Sequence, residues 1–271
     1  MKTKQSKELT KQEEFVREHR RHHHQISSWR FIIFALFLIL WEVSAELGWI
    51  DSFFFSSPRR VVLCLIEQFR GNSMLTHIGI TLFETLVSFL LVILISLLIA
   101  TLLWHSQKLS EILEPYLVVL NSLPKSALAP LFIVWLGTGA TTIIVAGISV
   151  AVFGSIISVY TGFQQVDGEK ITLIYTLGGK KRDAFLKVVL PGSLPTLLST
   201  AKVNIGLALV GVIIGEFLAA RRGLGYLIIY GSQVFQLDMV ITSIIVLCVI
   251  ALCFYKSIQV IEHQIKKKFR M

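Results

Sequence analysis

Apolar residues run along this chain in long blocks separated by short polar breaks, and the block lengths set the first expectation. A bilayer core about 30 Å thick takes roughly 20 apolar residues as helix. Six blocks reach that length, at about 30–49, 78–103, 113–136, 140–161, 195–219 and 238–260. The pattern predicts an all-α membrane protein with six transmembrane helices. The second block spans about 39 Å at 1.5 Å per residue, so it is expected to tilt or to project from the bilayer.

The polar breaks divide the chain into a polar tail (1–29), a membrane domain (30–265) and a short basic tail (266–271). After "DSFFFSS" (Asp51–Ser57), Pro58 is placed to open an interfacial helix ending near Phe69. The longest internal break, about 162–194, has a pattern of its own. Ile171, Ile174, Tyr175 and Gly178 recur at i, i+3, i+4 and i+7, which is one face of a helix. Gly178–Gly179 is expected to end that helix in a left-handed turn. A second helical set follows through "RDAFLKVVL", with Phe185, Val188 and Val189 apolar and Lys181, Arg182 and Lys187 polar. Pro191 and Pro195 mark the return to the next block. The expected shape is a short helix–turn–helix lying flat on one membrane surface, where it can dock into a groove on a partner.

Composition agrees with the blocks. The chain is 54% hydrophobic and 16% charged, against about 25% charged for a soluble domain. The net charge of +9 is scattered over loops and tails, so it argues against a nucleic-acid patch and for a topology signal. With both termini inside, the inside segments carry 19 Lys and Arg and the outside segments 5. The expectation is therefore a cytoplasmic N-terminus, a cytoplasmic C-terminus and a cytoplasmic 162–194 loop. His19 and His22–His24 leave two readings open, a metal ion or a juxtamembrane tail against anionic lipid. Cys64, Cys248 and Cys253 have no metal or disulfide spacing and read as small apolar packers.

Polar residues inside the blocks are the candidate functional ones. The third block, "EPYLVVLNSLPKSALAPLFIVWLGTG", holds Pro115, Pro124 and Pro130 with Asn121 and Lys125. Broken helix and a lysine at membrane depth are tolerated beside protein or a water-filled path. Lys125 therefore either faces a polar interior or snorkels to the interface. The fifth block carries Lys202, Asn204 and Glu216, with a Gly211-xxx-Gly215 pair that permits close helix approach. Glu216 either lines a path or pairs with Arg221 or Arg222. Asn121, Lys125, Asn204 and Glu216 are the expected pathway-lining residues. No G-x4-G-K-[ST] phosphate loop is present: around Gly179-Lys180 the first glycine position is Ile174 and the last is Lys181. Any energy from ATP must enter through another subunit, so the chain is expected to be a transport subunit and not an enzyme.

Gly178, nine intervening residues and then Val188-x-Leu190-Pro191 resembles the "EAA" loop of permease subunits in ATP-binding-cassette importers. The acidic EAA position is occupied by Thr172-Leu173-Ile174, with Glu169 nearby. "FFFSSPRRVV", "SLPKSALAPLFIVWLGTG" and "GEFLAARRGLGYLI" are similar to stretches of the nitrate, sulfonate, taurine and thiamine-precursor branch of that binding-protein-dependent family. The resemblance runs in order from about 29 to 265. It implies a type I importer transmembrane domain with a cytoplasmic coupling-helix loop. Glu169, Ile174, Tyr175, Gly178, Gly179, Arg182, Phe185, Leu190 and Pro191 are then the coupling residues. It implies a second copy of this chain as a homodimer partner, two ATPase subunits and an extracytoplasmic binding protein. It also implies no cofactor on this chain, with ATP and Mg used by the ATPase. The solute is expected to be a small polar one, a sulfonate-, nitrate- or taurine-like anion or a thiamine-precursor pyrimidine. The rivals are a stand-alone secondary carrier or channel and a non-transport membrane scaffold.

Overall fold

The computed structural model describes residues 11–269, and the regular structure among them is all helical. It divides after Leu63 into two compact units, the division falling within the third helix.

In the first unit α1 (Lys11–Glu46) is one continuous helix, and its Ser28–Glu46 part is apolar enough to cross a membrane. The first expected span, 30–49, thus ends earlier than its apolar run suggests, because Gly48 takes a left-handed φ of 68°. The tail ahead of it is helical from Lys11. Of the His19–His24 run only the His22 side chain is described, and it is exposed; the rest of that expectation lies outside the described residues. A single turn, α2 (Ser52–Phe55), is capped by Asp51, whose Oδ1 accepts from the Phe53 N–H at 2.8 Å. The following α3 (Pro58–Arg70) begins at the proline, as expected. Glu42 of α1 serves its open N-terminus: Oε2 accepts from the Arg59 N–H at 2.9 Å and Oε1 from Ser57 Oγ at 3.3 Å. A carboxylate at that end satisfies free donors and meets the positive pole of the helix.

The second unit is built on three long helices, α4 (Ser73–His105), α7 (Ala140–Gln164) and α11 (Leu194–Ala219). Their common seam uses small residues. A Cβ on Gly211 of α11 would lie 2.8 Å from Gly147 Cα of α7, so the two backbones touch there. Close approach of this kind is what glycine contributes between membrane helices, where burial against lipid gives little drive. Val92, Leu103, Ala151, Val152 and Ile156 fill the α4–α7 face, and Ile143, Val212 and Ala219 fill the α7–α11 face. The unit is completed by α12 (Leu224–Gln233) and α13 (Leu237–Phe269), joined to α4 through Met74, Leu224, Leu227, Met239 and Ile250.

The third expected span is a broken one, as its prolines lead one to expect. In place of one helix over 113–136 there are two, α5 (Gln107–Ser122) and α6 (Lys125–Leu136), meeting at 95°. Leu123 is extended, at φ −63° and ψ 139°, because a residue before proline is driven out of helical conformation. Pro115 and Pro130 stay within their helices; Pro124 alone turns the chain. Among the described residues five helices are long and apolar enough to span a bilayer, and the bent pair makes a sixth span if it counts as one.

Candidate functional site

The expected helix–turn–helix is present as α8 (Gly168–Thr176) and α9 (Lys181–Ala184). Asp167 caps α8, its Oδ1 accepting from the Glu169 N–H at 2.9 Å. The two glycines end it for different reasons. Gly178 has φ 82° with open space around it, whereas a Cβ on Gly179 would fall 2.8 Å from the Ile174 carbonyl oxygen. Gly179 N–H donates to that carbonyl at 2.9 Å and Gly178 N–H to that of Tyr175 at 3.0 Å. This pair of bonds is the Schellman closure, which occupies carbonyls a helix end leaves free. On the far side, Asp183 accepts from the Lys180 N–H at 3.0 Å and pairs with Lys187 at 3.4 Å. The bond from the Lys180 backbone, helped by Lys187, holds the Asp183 carboxyl below the usual carboxylate range.

One π turn, Phe185–Val189, leads from α9 into α10 (Leu190–Gly192). Pro191 has no N–H for the carbonyl four residues back, and the turn before it widens so that Leu190 N–H reaches Phe185 O. That turn is anchored. The Phe185 ring sits 5.1 Å from Trp104 of α4 and 5.4 Å from Phe163 of α7. Lys181 Nζ donates to the last carbonyl of α4, His105 O, at 2.9 Å.

The expected coupling residues therefore fall on two sides. Phe185 is buried, with Leu190 half-buried beside it, and these hold the loop to α4 and α7. Glu169, Tyr175 and Arg182 are exposed. Leu173 and Leu177, which the periodicity did not single out, are exposed at 57% and 76% and extend the apolar outer face. Ile174 closes the turn under Gly179, and Pro191 shapes the π turn.

Three of the four expected pathway residues converge on consecutive positions of α7. The Lys125 ammonium lies 5.5 Å from the Phe153 ring, Asn121 Oδ1 abuts Gly154, and Asn204 Nδ2 donates to Ser155 Oγ at 2.7 Å. Lys125 also donates to the carbonyls of Leu120, Asn121 and Leu123, so it closes the end of α5 that Pro124 breaks. Asn204 is buried between α7 and α11, beside a cavity of about 80 Å³ lined by Ser96, Ser155 and Thr200. Lys202, two residues before it on α11, pairs with Glu262 of α13, which Lys266 also meets at 2.8 Å.

Glu216 is brought nowhere near that group. It is 1% exposed and lies under the turn between α11 and α12. Gly225 N–H donates to its Oε2 at 2.5 Å and Thr81 Oγ to its Oε1 at 2.7 Å. Thr81 Oγ accepts in turn from the Leu224 N–H at 2.9 Å, and His77 Nδ1 from the Gly223 N–H at 2.9 Å. A Cβ at either Gly223 or Gly225 would strike the Glu216 side chain, which explains the G-L-G sequence. Arg221 and Arg222, offered as partners from sequence, are exposed; with Glu84, Thr76 and Ile143 they line a cavity of about 600 Å³. Thr81, Glu84 and His77 carried no sequence signal beyond being polar in an apolar helix.

A family model described as "Binding-protein-dependent transport system inner membrane component" matches residues 92–268. A probable ABC transporter permease protein of Haemophilus influenzae is 30% identical over 233 residues, covering 86% of this chain and 94% of the relative. The formylaminopyrimidine transport permease protein of Halalkalibacterium halodurans is 25% identical over 232 residues, covering 86% and 92%. A putative aliphatic sulfonates transport permease protein of Bacillus subtilis is 27% identical over 233 residues, covering 86% and 84%. A chain of the MetNI methionine ABC transporter, solved in inward-facing conformations, superposes with a TM-score of 0.62 at 20% identity, over 71% of this chain and 95% of that one. That likeness shows the fold.

Proposed function

This chain belongs to the family of binding-protein-dependent transport system inner membrane components, and we propose that α8 is the handle through which a separate ATPase drives it. The chain is an integral membrane permease of an ABC importer, and that family works with ATPase and substrate-binding partners. The finer reading is ours. Both termini and the α8–α9 loop lie in the cytoplasm, on the strength of the 19-to-5 bias of Lys and Arg. Two copies form the permease, each seated on one ATPase subunit, with lipid around the apolar exterior.

The observation that carries the proposal is the two-sidedness of the loop. Its outer face presents Leu173 and Leu177, with Tyr175 also exposed, while Phe185 and Lys181 tie its inner face to both α4 and α7. A push on the outer face passes to two spans at once. Closure of the ATPases on ATP and Mg draws the paired loops together and tilts the spans, opening the pathway outward. The 95° elbow of α5 and α6, with Asn121 exposed and Lys125 at the bend, supplies the passage wall. Asn204, bonded to Ser155, ties α11 to the helix against which that elbow packs, whereas Glu216 fastens the turn after α11 to α4.

The relatives' names frame the solute as a small sulfonate or a formylaminopyrimidine-like thiamine precursor. Permease, ATPase and binding protein reconstituted together in liposomes provide the test, with an aliphatic sulfonate and formylaminopyrimidine supplied outside. Uptake that requires both ATP and the binding protein supports the proposal. Uptake by the permease alone would instead identify a stand-alone carrier.

A further inference from the structure

The Glu216 cradle contains a second carboxyl that transport, as described, does not use. Glu84 of α4 is 3% exposed and follows by one turn Thr81, the residue that bonds Glu216, so that the two carboxyls lie within hydrogen-bonding reach. Its Oε2 has no partner. Two carboxyl groups can bond to each other only through a proton, since an ionised carboxylate has nothing to donate. Their surroundings say which one carries it. Glu216 accepts from the Thr81 hydroxyl and the Gly225 N–H at the N-terminus of the ten-residue α12, and both features favour a carboxylate. Glu84 keeps an unpartnered buried oxygen, which is far costlier on a charged group than on a neutral acid.

We infer that Glu84 is a protonated carboxylic acid donating to Glu216, so that the pair is a one-proton site embedded between α4 and α11. The charged and titratable groups around it are Glu216 from α11, Arg221 and Arg222 from the turn, Tyr226 from α12 and His77 two turns back on α4. From α7 the wall of the adjoining cavity is Ala140 and Ile143, neither of which titrates. With the proton in place, Glu84 and Thr81 together fasten the turn to α4. Without it, two adjacent carboxylates repel and the Arg221–Arg222 turn is released. The 600 Å³ cavity gives the proton a route to the surface. Which side of the membrane that is rests on the orientation proposed above; the proton itself does not.

The test is infrared difference spectroscopy on the full-length chain in its complex, embedded in lipid nanodiscs. The carbonyl stretch of a protonated carboxylic acid is expected in the wild type, shifted in heavy water and lost in Glu84→Gln. That variant should still fold, because its amide N–H donates where the acid O–H did. Superimposable wild-type and Glu84→Gln spectra would overturn the inference, as would loss of the band in Glu216→Gln with retention in Glu84→Gln. Should Glu84→Gln not fold, the wild-type band decides: its disappearance in alkaline buffer supports the site. Its absence at neutral pH, as a bound sodium ion would cause, sinks it. No transported solute is needed, so failure here leaves the importer reading standing.

Discussion

Phe185 meets Phe163 edge to face with 5.4 Å between ring centroids, and this contact joins the α8–α9 loop to α7. Together with Trp104 it makes Phe185 the inner anchor of the loop. Removing the ring leaves a buried void and costs about 3–5 kcal/mol of local packing. Phe185→Ala is expected to retain ATP hydrolysis in the assembled complex and to lose most solute uptake, because the push no longer reaches the spans. Parallel hydrolysis and uptake assays check this, and Phe185→Leu should recover a large part of the loss.

The glycine pair predicts an ordered series. Gly178 needs a left-handed backbone but has free space, so Gly178→Asn should be mild and Gly178→Val severe. Gly179 has no room for a side chain against Ile174, so Gly179→Ala should already be damaging. Membrane insertion is expected to be normal in all three, with uptake falling in the order Gly178→Asn, Gly179→Ala, Gly178→Val. Insertion is read from membrane fractions and coupling from solute-stimulated ATPase activity.

Thr81 both donates to Glu216 and accepts from Leu224 N–H. Thr81→Val keeps the shape and removes both bonds, leaving a buried N–H without a partner at a cost of about 1–3 kcal/mol. Thr81→Ser should retain them. Thermal unfolding in lipid is expected to rank wild type and Thr81→Ser together, well above Thr81→Val.

Lys125 has its donors directed at three backbone carbonyls of the elbow. Lys125→Met is therefore expected to slow uptake of anionic sulfonate and uncharged pyrimidine alike. A loss confined to the anion would show the ammonium meeting the solute directly. Competitive uptake of the two solutes by the variant checks this.

Much of the architecture could be read from the sequence because apolar block length and helix period are local properties. The same holds for Pro58 at the start of α3 and for the Gly178 turn, where one residue's backbone preference decides the outcome. The 95° elbow was not legible, since three prolines in one block do not say which of them turns the chain. Pro124 does so because it falls where α5 ends, and Lys125 can close the carbonyls that the break leaves free. The partners of Glu216 were not legible for a related reason. Its partners, Thr81 and the Gly223–Gly225 turn, are chosen by packing between α4, α11 and α12, and nothing in the spacing of Arg221 and Arg222 shows that they point away. Leu173 and Leu177 were legible only as apolar residues; their exposure follows from Ile171 and Phe185 taking the inner side.

The most direct test of the handle is a single cysteine at Tyr175, in a chain with Cys64, Cys248 and Cys253 replaced, cross-linked in the assembled transporter. The account predicts a bond to the ATPase subunit that changes in yield when ATP is bound, with none from a cysteine at Arg222. Labelling of the Tyr175 position by an impermeant reagent added outside intact cells would contradict it.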